Sequence, residues 1–284
     1  MKRIIRFTFF VTLILVGMLA LGINSGLSQG FKPGCSLPFN GQAGLPFDKK
    51  CSSKFGKAPA TNPNSRLQNS IKNNFCATGK PRVLTFADFR ELQARANTLL
   101  QQGKLTFGSD KALPPAAMRQ LLAFILNDNN NNKFFGEGAV VTLEAFVLDA
   151  RHSNTFPFGF SGESVNCGSD QFADNDIHIA LVETADEESE NDSLTAEISP
   201  HFRPAAWDRF DVNPKTSQIA NGLPLKGRQV RLTGQLFFDG SHHPCKVGQC
   251  GPARFTVWEI HPIYAIEVKD GSKWVSLEEF ANNH

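Results

Sequence analysis

Aromatic hydroxyls are almost missing from this chain: one Tyr stands against 25 Phe in 284 residues. Amphipathic rings let a surface stack sugars or bases while keeping a polar edge wet, so their scarcity argues against a stacking platform. Charge of one sign is missing too. The formal net charge is +2, and without Lys2, Arg3 and Arg6 the remainder carries 26 basic against 27 acidic residues. A protein that grips phosphate backbones needs a positive field, so nucleic acid is disfavoured as a partner. No apolar run after residue 28 is long enough to cross a bilayer. Several motifs are absent. Nothing matches H-E-x-x-H, and Ser164 has no G-x-S-x-G context. The acidic run from Glu183 to Asp192 lacks the alternating ligands and Gly of a calcium loop and reads as the exposed turn of a hairpin. Lys32, three residues before Cys35, rules out a lipobox.

What is present begins with an export signal. Lys2, Arg3 and Arg6 precede an apolar stretch from Phe7 to Ile23, and Gly26-Leu27-Ser28 places small residues at −3 and −1 of a cleavage site before Gln29. Residues 1–28 are therefore expected to be a signal peptide, with an uncleaved anchor as the alternative. Export makes the protein periplasmic or extracellular. Such a compartment suits disulfides among Cys35, Cys51, Cys76, Cys167, Cys245 and Cys250. Only Cys245 and Cys250 are near enough in sequence to suggest one specific staple.

Composition then divides the chain. Residues 29–80 are rich in Gly, Pro, Ser, Asn and Lys without an apolar period, which predicts an irregular basic arm with cysteines, and at most a short helix over Arg66–Asn74. Residues 81–127 predict two helices. Thr85 and Asp88 have capping-box spacing ahead of Phe86, Phe89, Leu92, Ala96 and Leu99, and Pro114-Pro115 opens a second stretch to about Leu126. Past the Asn-rich run at Asp128–Asn132 the period switches to two. Strands are expected over Ala139–Ala150, Asp176–Glu183, Ser193–Ser199, Arg228–Phe238, Arg254–Ile260 and Tyr264–Val268, with Pro262 ending regular pairing or confining it to an edge. Gly234 fits a bulge or a barrel corner. The fold class is mainly β with a helical lead-in: a small OB-like barrel of five to six strands over residues 137–270, or a β-sandwich, with a C-terminal tail at 271–284. Phe156-Pro157-Phe158-Gly159-Phe160 is expected to plug the core.

The chemistry that stands out is a repeated acid-plus-histidine pair at spacing two. Asp176 and His178 form one, Glu259 and His261 the other, and alternation puts each pair on one face of its strand, roughly 6–7 Å apart. Glu197 lies on a neighbouring hairpin strand, and Asp239 and His242 follow the fourth strand. Imidazoles and carboxylates in such numbers can hold a divalent metal or act as general acid and base. They can equally be the wet face of a barrel and its satisfied structural histidines. His178, Glu197, Asp239, His242, Glu259 and His261 are thus the ligand-binding or metal candidates, with Asp176, Arg203 and Trp258 in support.

Gly162-Glu163-Ser164-Val165-Asn166-Cys167, Asp176-Ile177-His178-Ile179, Glu197-Ile198-Ser199-Pro200 with Arg203 and Trp207, Leu232-Thr233-Gly234, Phe238-Asp239 with His242, and Trp258-Glu259-Ile260-His261-Pro262 occur in that order. Over residues 137–268 this series resembles a group of exported bacterial OB-like β-barrel proteins, the W-E-I-H-P element being its most distinctive part. The resemblance implies the barrel and bacterial export and carries no activity. Three functions stay open: a binding module for a cell-envelope glycan or protein, a metal-dependent hydrolase, and a structural envelope protein.

Overall fold

The computed structural model describes residues 61–128, 133–152, 174–212, 222–249 and 253–284. Helix α1, Pro63–Lys72, opens it. Asn62 caps it by accepting from Ser65 N at 3.0 Å, and Pro63 supplies a preset φ in the first turn. A short strand β1, Arg82–Leu84, leads into α2, Phe86–Gln101. Here the expected box forms: the Thr85 side chain accepts from Asp88 N, and Thr85 N donates to Asp88 Oδ2 at 2.7 Å. Phe86, Phe89, Leu92 and Ala96 form the buried stripe. Helix α3, Ala116–Leu122, stops short of Leu126, because that residue instead opens strand β2, Leu126–Asp128, in a hairpin with β3, Lys133–Phe135.

Five long strands follow: β4 Val140–His152, β5 Ile177–Val182, β6 Leu194–Ile198, β7 Gln229–Phe238 and β8 Trp258–Asp270. β4, β5 and β6 form an antiparallel meander, β7 returns beside β4, and β8 lies between β7 and β6, closing a five-stranded barrel. The spatial order β7-β4-β5-β6 is a Greek key. β4 bends enough to serve three partners. Its first half takes β7 on one edge and β1 on the other, and from Phe146 onward, across a bulge between Val147 and Asp149, it pairs with β5 on the edge that β1 has left. The interior is apolar, with Val141, Leu143, Ile179, Leu194, Leu232, Ile260 and Ile266 all within 1% of full burial. Each such side chain contributes about 1.5–3 kcal/mol by leaving water.

The seams are unequal. β7 and β8 pair over eight positions, whereas β6 and β8 run parallel and share the single register pair Ala196↔Ile260. This closure is the weakest stretch of backbone pairing in the barrel, and it lies where the sequence concentrates its acids and histidines.

Two expectations are corrected. Pro262 does not end pairing, since Trp258–Ile260, the end of the first expected strand, and Tyr264–Val268 belong to one strand, β8, while Arg254 lies before it in an isolated bridge. The proline's missing N–H is accommodated by a register break on both sides of Gly234, where Ile260 pairs with Leu236 and Ile263 with Gly234; His261–Pro262 is cis. The C-terminal residues are not a loose tail. β9, Lys273–Ser276, pairs with β8, and α4, Leu277–Asn283, capped by Ser276, buries Leu277, Phe280 and Ala281. The Phe156–Phe160 plug and Cys35, Cys51, Cys167 and Cys250 lie outside the described residues, and the Cys245–Cys250 staple with them. No described helix is long and apolar enough to cross a membrane.

Gly234 is needed for space. A Cβ there would sit 2.6 Å from Ile260 Cγ2 and 2.6 Å from the Pro262 carbonyl oxygen. Gly234→Ala is therefore expected to cost about 1–3 kcal/mol in urea unfolding, the range for overpacking a core; an unchanged midpoint would contradict this account of the bulge.

Candidate functional site

Alternation along β8 sends Trp258 and Ile260 into the barrel and Glu259 and His261 to its outer face. That outer face is not wet, because both residues have 0% exposure. Helix α1 roofs it, and does so with polar side chains. Gln68, Asn69 and Lys72 are its buried residues. Gln68 Nε2 donates to Asp239 Oδ1 at 3.3 Å, and Lys72 Nζ lies 3.7 Å from Glu197 Oε2. Just beyond the helix, Asn74 Nδ2 donates to Gln235 Oε1 at 2.6 Å and Tyr264 Oη donates to the Asn74 carbonyl at 2.5 Å.

Beneath this roof the charged groups form one connected chain. His178 and Glu197 face each other in the β5–β6 register, with His178 Nε2 3.2 Å from Glu197 Oε1. Glu197 Oε2 is 2.7 Å from His261 Nδ1, and Glu259 Oε2 is 3.8 Å from the same nitrogen. Arg254 pairs with Glu259 and donates through Nη2 to Asp239 Oδ2 at 3.0 Å. Reciprocal backbone hydrogen bonds with Cys245, at 2.9 and 3.0 Å, hold Arg254 in place, and Gln93 of α2 accepts from Val257 N at 2.9 Å, fixing the entry to β8. Gln68 Oε1 accepts from Arg119 Nη2 at 2.7 Å, and Arg119 pairs with buried Glu137.

The electrostatics follow from packing opposite charges where water is excluded. Burial alone would raise the Glu197 carboxyl, but His178, Lys72 and His261 hold it well below the usual carboxylate range. Burial opposes ionisation of Asp239 as well, and His242, Lys72 and Arg254 prevail, keeping its carboxyl well below its ordinary value. For His261, burial favours the neutral ring, yet Glu197 and Glu259 push it up to about 9. The Asp239 carboxylate raises His242 against a smaller effect of burial. Three carboxylates (Glu197, Asp239, Glu259) thus face Lys72, Arg254 and a protonated His261, a local balance in a dry setting.

The structure brings together most of the expected site: His178, Glu197, Asp239, Glu259 and His261 join one network, with His242 at its half-exposed rim. Asp176 stands close enough that it, Glu197 and His261 each offer a ligand atom within 4.8 Å of the others. Trp258 does not support the site. It is a core side chain, edge-on to Phe238 at 5.1 Å between ring centres. Arg203 is buried on the Asp176 side of the cluster, within reach of that carboxylate's charge, and donates to the Asn175 carbonyl at 2.6 Å and pairs with Asp208 at 2.8 Å. Sequence reasoning missed Arg254, Lys72, Gln68 and Arg119. Gln68 and Lys72 stand four apart, on one helical face, but polar residues at that spacing ordinarily mark the solvent side. Comparison with family models, curated proteins and solved structures finds no match.

The His242–Asp239 pair has a defined pH signature. A histidine raised on folding contributes stability that is fully present below its unfolded pKa, about 6.5, and is lost as pH rises through the higher folded value. Thermal melts of the wild type are expected to lose stability progressively from pH 6 upward through that range, and His242→Gln to flatten this slope. Parallel profiles for the two proteins would refute the pairing.

Proposed function

We propose that the chain is an exported, non-enzymatic binding module built on an OB-like barrel, its ligand an extended protein segment in the cell envelope. The five-stranded Greek-key closure supports the OB-like reading, since that fold is a five-stranded Greek-key barrel, and the leader at residues 1–28 supports export and, with it, cysteine pairing. The observation that carries the functional reading is the contrast between a covered face and an open groove. The acid–histidine face, at β5 and β6 where such barrels commonly meet ligands, lies beneath α1 and has no exposed Glu259 or His261 surface. A hydrolytic centre would need a substrate path to those residues, so the hydrolase reading is the weaker one.

An open groove of about 890 Å³ lies elsewhere, between the residues leading through β1, the start of α2 and the β2–β3 hairpin. Val83 and Phe134 stand in it 76% and 53% exposed. Lys80, Arg82, Asp88 and Glu91 all line it, a mixture of charge that favours a polypeptide over a polyanion. β1 uses one edge on β4 and, among the described residues, pairs with nothing on the other. A strand at the end of the sheet beside apolar side chains suits addition of an extended segment, with main-chain hydrogen bonds giving affinity and side-chain seats giving selectivity.

A photo-crosslinking amino acid at position 83, in cells expressing the full chain, is expected to capture a discrete protein adduct. The same probe at exposed Lys273 should not, and Phe134→Asp should abolish the adduct. Identical products at both positions, or glycan binding insensitive to Phe134→Asp, would overturn the proposal.

A further inference from the structure

We propose that Asp176, Glu197 and His261 bind one divalent transition-metal ion, and that this ion fastens β5, β6 and β8 to one another. The inference is independent of the binding-module reading, for it concerns the other side of the barrel.

Placement is the first ground. Asp176 immediately precedes β5, Glu197 sits on β6 and His261 on β8, so each ligand comes from a different element of the closure. Glu197 and His261 directly follow Ala196 and Ile260, the single register pair that joins the two strands. An ion at this point would cross-link the seam with the least backbone pairing.

Geometry and hydrogen bonding are the second. One ligand atom from each residue lies within 4.8 Å of the other two. Ligands about 2.0–2.2 Å from a zinc ion are separated by at most about 4.4 Å, so small side-chain adjustments bring all three onto a common centre. The His261 ring is fully buried, yet its Nε2 meets no hydrogen-bond partner, and its Nδ1, although 2.7 Å from Glu197 Oε2, is not aligned for a hydrogen bond. Glu259 Oε2, also without a hydrogen-bond partner, stands 3.8 Å from Nδ1 as a further oxygen at the rim. Polar atoms buried this deeply are nearly always partnered.

Chemistry selects the ion. One imidazole nitrogen and two carboxylate oxygens, with no thiolate, suit zinc or manganese. The two carboxylates neutralise a divalent charge, and His261 would bind as the neutral ring, releasing a proton. Lys72, 3.7 Å from Glu197, and Arg203, whose charge acts on Asp176, are the competing cations, while Arg254 is committed to Asp239 and Glu259. Closed under α1, the site gives a substrate no path to the ion, so the ion would act as a cross-link between strands.

The full chain, purified without a histidine tag, would be stripped with chelator and desalted. It would then be titrated with zinc and with manganese and read by calorimetry, elemental analysis and melting temperature. We expect one tightly held equivalent of one of these ions and a melt raised by several degrees. Asp176→Asn should bind at least tenfold more weakly, and Glu197→Gln serves as the second variant should the first misfold. Failure of the folded wild type to retain either ion overturns the proposal. So does equal retention by a folded variant, which would assign the metal to surface histidines such as His243 and His284.

Discussion

The contact between Glu197 and His261 is the interaction on which the rest of this structure depends. It crosses the one place where the barrel closes on a single backbone register pair, Ala196↔Ile260, and it receives Lys72 from the helix above. Antiparallel β7 and β8 are held by a long ladder, and so are β4 and β5. β6 and β8 are held by side chains. Once Glu197 is ionised and His261 protonated, each stabilises the other's charge. The roof helix, the two strands and the pairing of Arg254 with Asp239 and Glu259 then become parts of one arrangement.

This way of closing a barrel has a cost and a consequence. Taking ions out of water is expensive, and a buried pair adds little net stability over well-packed apolar residues; breaking one by removing a partner costs about 3–5 kcal/mol because a charge is left stranded. The network is therefore a stronger determinant of which arrangement forms than of how stable it is. It specifies the seating of α1, which has no apolar stripe to seat it otherwise. It also separates the acid–histidine cluster from solvent, which is why a group of residues that resembles a reaction centre in sequence reads as a clasp in three dimensions, and why the groove beside β1 is the better candidate for contact with a partner.

Much of this was legible in the sequence, through the period-two pattern. Alternation placed Glu259 and His261 on one face, His178 and Asp176 on another, and Glu197 on a neighbouring strand, and five strands of the barrel follow from it. What alternation cannot provide is whether the outer face is wet. That depends on α1, whose Gln68 and Lys72 look like solvent-facing residues until the barrel beneath them is known. Arg254 stayed hidden because it is placed by an isolated bridge to Cys245 outside any regular strand, whereas Gly234 was legible as a bulge, and the register does shift on both sides of it. Its counterpart, a proline carried through the middle of β8, runs against the ordinary rule for strand prolines and is tolerated because the register steps there.

The central claim, that Glu197 and His261 act as one unit across the seam, is tested most directly by a double-mutant cycle. Wild type, Glu197→Gln, His261→Asn and the double variant would be unfolded in urea in the presence of chelator, so that no metal contributes. The account predicts a coupling energy of about 2 kcal/mol or more, within the range for residues sharing a buried network. Effects that add to within about 0.5 kcal/mol, as for independent sites, would contradict it and return closure of the barrel to the single backbone pair and the apolar core.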